Sequence, residues 1–145
     1  MEKNKVIYIY GDHATGKTKY VRDTHGMHNI YRISSNYLPF CGYNFEPIVL
    51  FDDFRSNFDL TVMLNCCSTP PCPQPVRYRK NLYPTYKMIY IVSTIKLEEQ
   101  YVDVQKKQPE LWQAFLSRID EVRVFRDREK IDIYNSVDEY LNRDA

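Results

Sequence analysis

The chain has 145 residues, with 20 Lys and Arg against 19 Asp and Glu and a formal net charge of +1. That length suits one domain with its own core, and so even a charge balance excludes nucleic-acid binding by bulk electrostatics, so any such site has to be a local patch. The first residues do not read as a signal peptide, no apolar run reaches membrane-spanning length, and the cysteines Cys41, Cys66, Cys67 and Cys72 read as reduced thiols of an intracellular protein. Cys66, Cys67 and Cys72 lack the paired Cys-x-x-Cys spacing of a zinc site and are expected as small buried residues.

In chain order, the apolar run at 6–10 predicts a buried strand. It leads straight into Gly11-Asp12-His13-Ala14-Thr15-Gly16-Lys17-Thr18, a complete G-x-x-x-x-G-K-[ST] phosphate-binding loop. Gly11 and Gly16 permit the backbone angles that let successive N–H groups curl around phosphate oxygens. Lys17 can reach the β- and γ-phosphates, and Thr18 can offer its hydroxyl to Mg²⁺. A helix from 17 to 23, ended by His25-Gly26, would aim its positive end at the same phosphates.

Residues 28–33 predict a second strand and 34–44 a loop. The nearly all-apolar stretch 47–51 has the pattern of a central strand in a parallel sheet. A helix is expected over 57–66, capped by Ser56 or Asn57, with Phe58, Val62 and Leu64 inward. The proline-rich segment 69–75 reads as a stiff loop. Residues 74–80 and 87–93 look like the arms of a β-hairpin joined at 81–86, while 88–92 also reads as a strongly buried strand. A helical turn is expected within 97–104. The segment 109–119 predicts a helix with Pro109 in its first turn and Leu111, Trp112, Phe115, Leu116 and Ile119 on one apolar face. A sheet strand at 122–125, an edge strand at 130–134 and a short helix at 137–142 capped by Ser136 complete the chain. Strands alternating with helices around a phosphate loop imply an α/β P-loop NTPase with a mostly parallel central sheet flanked by helices. Residues 1–130 form the nucleotide-binding domain in this reading, and 131–145 a C-terminal extension of it.

Asp52 and Asp53 follow the strand at 47–51. A carboxylate at the C-terminal edge of a strand beside the phosphate loop is where Mg²⁺ finds a further ligand. Asp52 is therefore expected in the Mg²⁺ shell, and Asp53 is expected to polarise an attacking water. Ser93-Thr94 end the next buried strand, where a polar side chain either holds that water and senses the γ-phosphate or simply caps the strand. Arg118, at the far end of the 109–119 helix, reads either as a surface ion-pair partner or as an arginine finger.

The order of the phosphate loop, Ile48-Val49-Leu50-Phe51-Asp52-Asp53-Phe54, a basic hairpin, Ile91-Val92-Ser93-Thr94 and Phe115-Leu116-Ser117-Arg118-Ile119 resembles a known family. It is similar to the superfamily 3 helicase domain of replication initiator (Rep) proteins of circular single-stranded DNA viruses and related plasmids, over residues 6–125. The resemblance implies an AAA+-like ATPase that uses ATP and Mg²⁺ and assembles as a hexameric ring around single-stranded DNA, with no membrane association. Lys17 and Thr18 would then be the phosphate and Mg²⁺ residues, Asp52 and Asp53 the second, acidic motif, and Arg118 the finger donated to the neighbouring subunit. The hairpin at 76–87 would face DNA, with Arg77, Arg79 and Lys80 meeting phosphates and Tyr78 or Tyr83 stacking on bases. The implied location is the host nucleus for a eukaryotic virus and the cytoplasm for a bacterial plasmid.

Two features depart from that family. Its third motif usually ends in Asn, where this chain has Thr94 after Ser93. The His-hydrophobe-His metal motif of the nicking endonuclease is missing within the chain, so origin nicking is not assigned to it. Two competing readings are a small P-loop kinase acting on a nucleoside or metabolite, with Arg77, Arg79 and Lys80 recast as a lid, and a non-enzymatic ATP-gated DNA-binding module.

Overall fold

A computed structural model describes residues 3–33, 35–78 and 80–143. Its strands are β1 (Lys5–Gly11), β2 (Ile30–Ile33), β3 (Ile48–Phe51), β4 (Met88–Ser93), β5 (Glu121–Phe125) and β6 (Ile131–Tyr134). The helices are α1 (Lys17–His25), α2 (Leu60–Cys66), α3 (Val102–Lys107), α4 (Pro109–Arg118) and α5 (Val137–Leu141). All six strands join one sheet in the order β2-β3-β4-β1-β5-β6. Every pairing is parallel except that of β6, which runs antiparallel along β5. The fold is that of a P-loop NTPase.

β1, β3 and β4 are apolar along most of their length because both faces of the sheet are covered. Alternate residues of β1 point to opposite sides. Val6 and Tyr8 join the larger core with Met63 of α2 and Trp112, Phe115 and Leu116 of α4. Ile7 and Ile9 join the smaller one with Val21 of α1, Leu50, Tyr90 and Val92. α5 closes the larger core with Val137 and Tyr140, and Ser136 Oγ caps it by accepting from Glu139 N. Cys66 and Cys67 are buried packing residues, and burial pushes the Cys67 thiol up to about 12. No helix among the described residues is long and apolar enough to cross a membrane.

Two local expectations change. α2 starts at Leu60, not at 57, and its N-cap is Asp59, whose side chain accepts from Thr61 N. Asn57 instead turns the chain ahead of the helix, its Oδ1 accepting from Arg55 N at 3.1 Å. Phe58 is buried as expected but precedes the helix, where it stacks on Phe54 at 6.2 Å. Inward positions of the helix are Leu60, Met63 and Cys66, while Val62 and Leu64 are half-buried.

The second change concerns the hairpin. β4 lies between β1 and β3 in mid-sheet, so it has no free edge for a hairpin partner. Among the described residues, what closes the preceding loop is one antiparallel bridge, Gln74 with Leu82, made by two N–H···O bonds of 2.8 Å. The DNA-facing β-hairpin expected at 76–87 is therefore a bridged loop, followed by a buried central strand.

Candidate nucleotide-binding site and basic surface

Parallel pairing sets the C-terminal ends of β1, β3, β4 and β5 along one edge of the sheet, and the phosphate loop leaves β1 there. Gly11 is the last residue of β1, opposite Phe125 of β5. A Cβ at position 11 would stand 2.9 Å from Phe125 Cβ, Phe125 O and Thr15 Oγ1. Its smallness serves close approach between strand and loop. Of the two glycines expected to bend the loop, Gly16 takes the left-handed backbone (φ 81°), and Ala14 (φ 62°) takes it where Gly11 does not. Gly16 is the residue before α1, so the helix's free amides open onto the loop.

Thr15 is buried and donates to Asp12 O at 2.8 Å, which fixes the turn, while Asp12, His13 and Ala14 are exposed on its crest. Lys17 is buried, and its Nζ donates to Gly11 O at 2.8 Å and Asp12 O at 2.7 Å. Burial holds the Lys17 ammonium below the usual lysine range, and the charges of Asp12, Asp52 and Asp53 pull the other way. A cation partly stripped of water and surrounded by carbonyls is well prepared to meet a polyanion.

Thr18 Oγ1 donates to Asp52 Oδ1 at 3.0 Å, and Arg32 Nε on β2 donates to the other oxygen of Asp52 at 2.9 Å. Asp53 is exposed, sits at φ 54°, and pairs with Arg55. Thr94 and Asp53 share with Lys17, Thr18 and Asp52 a cleft of about 430 Å³. The structure thus brings together five of the residues expected to act on phosphate. One hydroxyl and one carboxylate in contact form a hard oxygen donor set, which suits Mg²⁺, an ion that keeps several waters and binds jointly with phosphates.

Ser93 resolves to the capping alternative. Its Oγ donates to Phe54 O at 2.6 Å and accepts from Ile95 N at 2.9 Å and Gln100 Nε2 at 3.0 Å. Both residues line the cleft, Ser93 with its hydroxyl engaged by the scaffold and Thr94 half-buried.

On the other side of Gly16 lies a second cleft of about 460 Å³, whose lining includes Tyr20, Asp23, Phe125, Arg128 and Ile131. Tyr20 and Phe125 meet edge to face at 5.3 Å, and Arg128 Nε donates to Ala14 O at 3.1 Å. Sequence reasoning missed this cleft. Its walls come from α1, β5, β6 and the turn between those two strands, and no local spacing links them.

Arg118 is not part of either cleft. It ends α4 and precedes β5, so it sits at the strand-start edge, about 17 Å of strand away from the phosphate edge. Its Nε is buried without a hydrogen-bond partner among the described residues. The basic loop is also apart from the phosphate cleft. Arg77 lies over the Tyr37 ring at 5.6 Å, Tyr78 is fully exposed at φ 61°, and Lys80 is exposed. Arg79 lies outside the described residues.

A family model described as RNA helicase matches residues 7–111, most of the chain. Comparison with curated protein sequences finds no match. Among solved structures, the S. cerevisiae Hsp104-ADP complex is similar with a TM-score of 0.54 at 16% identity, over 88% of this chain. The chain spans 30% of the length of that AAA+ ATPase, and at this identity the likeness concerns the fold. The matched segment runs from β1 through the phosphate loop, both aspartates and Thr94 into α4, and on that match the chain belongs to the RNA helicase family, as a superfamily 3-type P-loop NTPase domain.

Proposed function

We propose that the chain is the ATP-hydrolysing motor domain of a replication initiator, which turns over ATP and Mg²⁺ at the junctions of a hexameric ring and moves along single-stranded DNA. The observation that carries this reading is the Thr18–Asp52 contact, with Lys17, Asp53 and Thr94 around the same cleft. Lys17 and the amides of residues 12–18 bind the phosphates. Thr18 and Asp52 hold the Mg²⁺, which supplies charge neutralisation of the phosphate oxygens. Asp53 orients water for attack, and Thr94 offers it a second hydrogen bond. The cleft beside Tyr20 and Phe125 takes the nucleoside, an assignment in keeping with a similar fold solved as an ADP complex.

Arg118 lies away from its own phosphate loop, and in this reading it reaches the loop of a neighbouring subunit. The lining of the phosphate cleft weighs against the kinase reading. The lid would have to come from the loop of Arg77, Arg79 and Lys80, yet neither Arg77 nor Lys80 lines the phosphate cleft. Arg77, Tyr78, Arg79 and Lys80 serve better as contacts to the DNA strand.

The deciding experiment measures ATP turnover per subunit against protein concentration, with and without single-stranded DNA. The reading expects turnover to rise with both. Stimulation by a nucleoside or small metabolite, with no response to DNA, would replace the motor by a kinase. In the same assay Asp53→Asn should keep nucleotide affinity and lose about 100-fold or more in turnover.

A further inference from the structure

We infer that Phe45 and Tyr83 form a slot that stacks one base of a single-stranded nucleic acid, with Lys80 beside it for the adjoining phosphate. The inference rests on the reading that the 74–82 loop meets such a strand, and it adds a site from a second loop. Phe45, Lys80, Asn81, Leu82 and Tyr83 line a recess of about 480 Å³. Phe45 is 51% exposed and Tyr83 71%, while Leu82 is buried and forms the floor. Two ring-bearing walls over an apolar floor, with one ammonium at the side, match a planar base joined to an anionic backbone.

The recess is held open by its foundations. Tyr43 is buried beneath it, and its hydroxyl donates to Glu46 O at 2.8 Å while accepting from Thr85 N at 3.3 Å. One hydroxyl therefore ties the loop of Phe45 to the loop of Tyr83. Lys87 N donating to Pro47 O at 2.9 Å makes a second tie. Tyr43 in turn packs edge to face on Phe40 at 5.5 Å and contacts the Phe45 ring at 5.5 Å. Phe45 itself stands at φ 60°, a backbone conformation costly for an aromatic residue. Glu46, the acid of this loop, is engaged through Oε1 by Asn44 N at 2.6 Å. The result is a pre-set aromatic surface, with little ordering left to be done when a strand arrives.

The charge around the recess favours nucleic acid over a protein partner. Lys80 forms part of its rim, and Arg77, Tyr78 and Tyr37 extend the exposed aromatic and basic surface along the same loops. Stacking is tolerant of sequence because every base has a π-face, which suits a domain that has to pass over any sequence.

The test titrates the whole chain with a fluorescent oligo-dT and with an abasic strand of equal length. Phe45→Ala and Tyr83→Ala should each weaken oligo-dT binding about tenfold while leaving the salt slope unchanged. Phe45→Tyr and Tyr83→Phe should bind as wild type, and the abasic strand should not distinguish any of these variants from wild type. Lys80→Ala should instead reduce the salt slope by about 0.7. If wild type binds oligo-dT and the abasic strand equally, or the alanine variants bind oligo-dT normally, the slot is wrong while strand binding by the basic loop stands. No binding by wild type overturns both readings. If Phe45→Ala abolishes concentration-dependent self-association and leaves DNA affinity intact, the recess is a contact between copies of the chain. Melting temperatures establish that each variant is folded, and the abasic comparison on wild type tests the slot without any substitution.

Discussion

Thr18 and Asp52 meet at 3.0 Å although the strands that lead to them, β1 and β3, are not neighbours. β4 lies between β1 and β3, so this hydrogen bond passes over the end of β4, where Thr94 emerges. Phosphate loop, acid and Thr94 are thus gathered by strand order, an arrangement available to parallel strands whose C-terminal ends share an edge.

Lys17 is the group whose loss separates binding from folding. Among the described residues its ammonium bonds to loop carbonyls and a loop hydroxyl. Lys17→Ala should therefore leave the melting temperature little changed and weaken nucleotide binding by about 2–3 kcal/mol, some 30- to 150-fold. Calorimetric titration with nucleotide and Mg²⁺ measures this, and wild-type affinity would remove the phosphate loop from the mechanism.

Gly11→Ala makes the opposite kind of defect. The new methyl would lie 2.9 Å from Phe125 O and Phe125 Cβ, so β1 and β5 have to part. A loss of about 1–3 kcal/mol is expected in urea unfolding, with nucleotide affinity falling because the loop shifts. Unchanged stability would mean that the strands yield at no cost.

Arg118 can be tested by mixing. Arg118→Ala should bind nucleotide normally and hydrolyse it slowly, since the residue lies away from its own cleft. Mixed with Lys17→Ala, which keeps Arg118 but lacks a working loop, it should regain turnover wherever the two variants are neighbours. Mixtures no more active than the separate proteins would return Arg118 to a structural role, in which its buried Nε simply packs.

The C-terminal helix should be sensitive to acid. Burial raises the Glu98 carboxyl, but Tyr140 Oη donating at 2.7 Å and the Arg143 guanidinium at 2.8 Å outweigh it and hold the group below the usual carboxylate range. A carboxyl depressed in the folded state stabilises it above the unfolded value of about 4.3 and loses that contribution as pH falls through the folded value. Unfolding midpoints should therefore drop on acidification below about pH 4. Glu98→Gln should remove part of that slope, leaving the share due to Glu121, which Lys5 and Arg123 depress in the same way.

The sequence spoke plainly where the determinants are local. Residues 11–18 spell the phosphate-loop motif in their own spacing, and the apolar runs of β1, β3 and β4 record burial on both faces. Ser136 as a cap and Pro109 at the first turn of α4 are equally local signals. It misled where distant contacts decide. The start of α2 is delayed because Phe54 and Phe58 are drawn into the core ahead of it. The hairpin dissolves because β4 finds better partners in β1 and β3. Arg32 on Asp52, the Tyr20–Phe125 cleft and the Phe45–Tyr83 recess join segments far apart in the chain, and no periodicity announces them.

β3 and β4 remain tied beyond their last paired residues. Phe54 N donates to Val92 O at 2.8 Å, and the Ser93 hydroxyl, itself gripped by Gln100, returns a bond to Phe54 O. The corner bearing Asp53 and the corner bearing Thr94 are consequently a single casting. Trimming the Ser93 hydroxyl would misalign both at once, producing an enzyme that looks chemically crippled through loss of an atom whose bonds all run to its own scaffold.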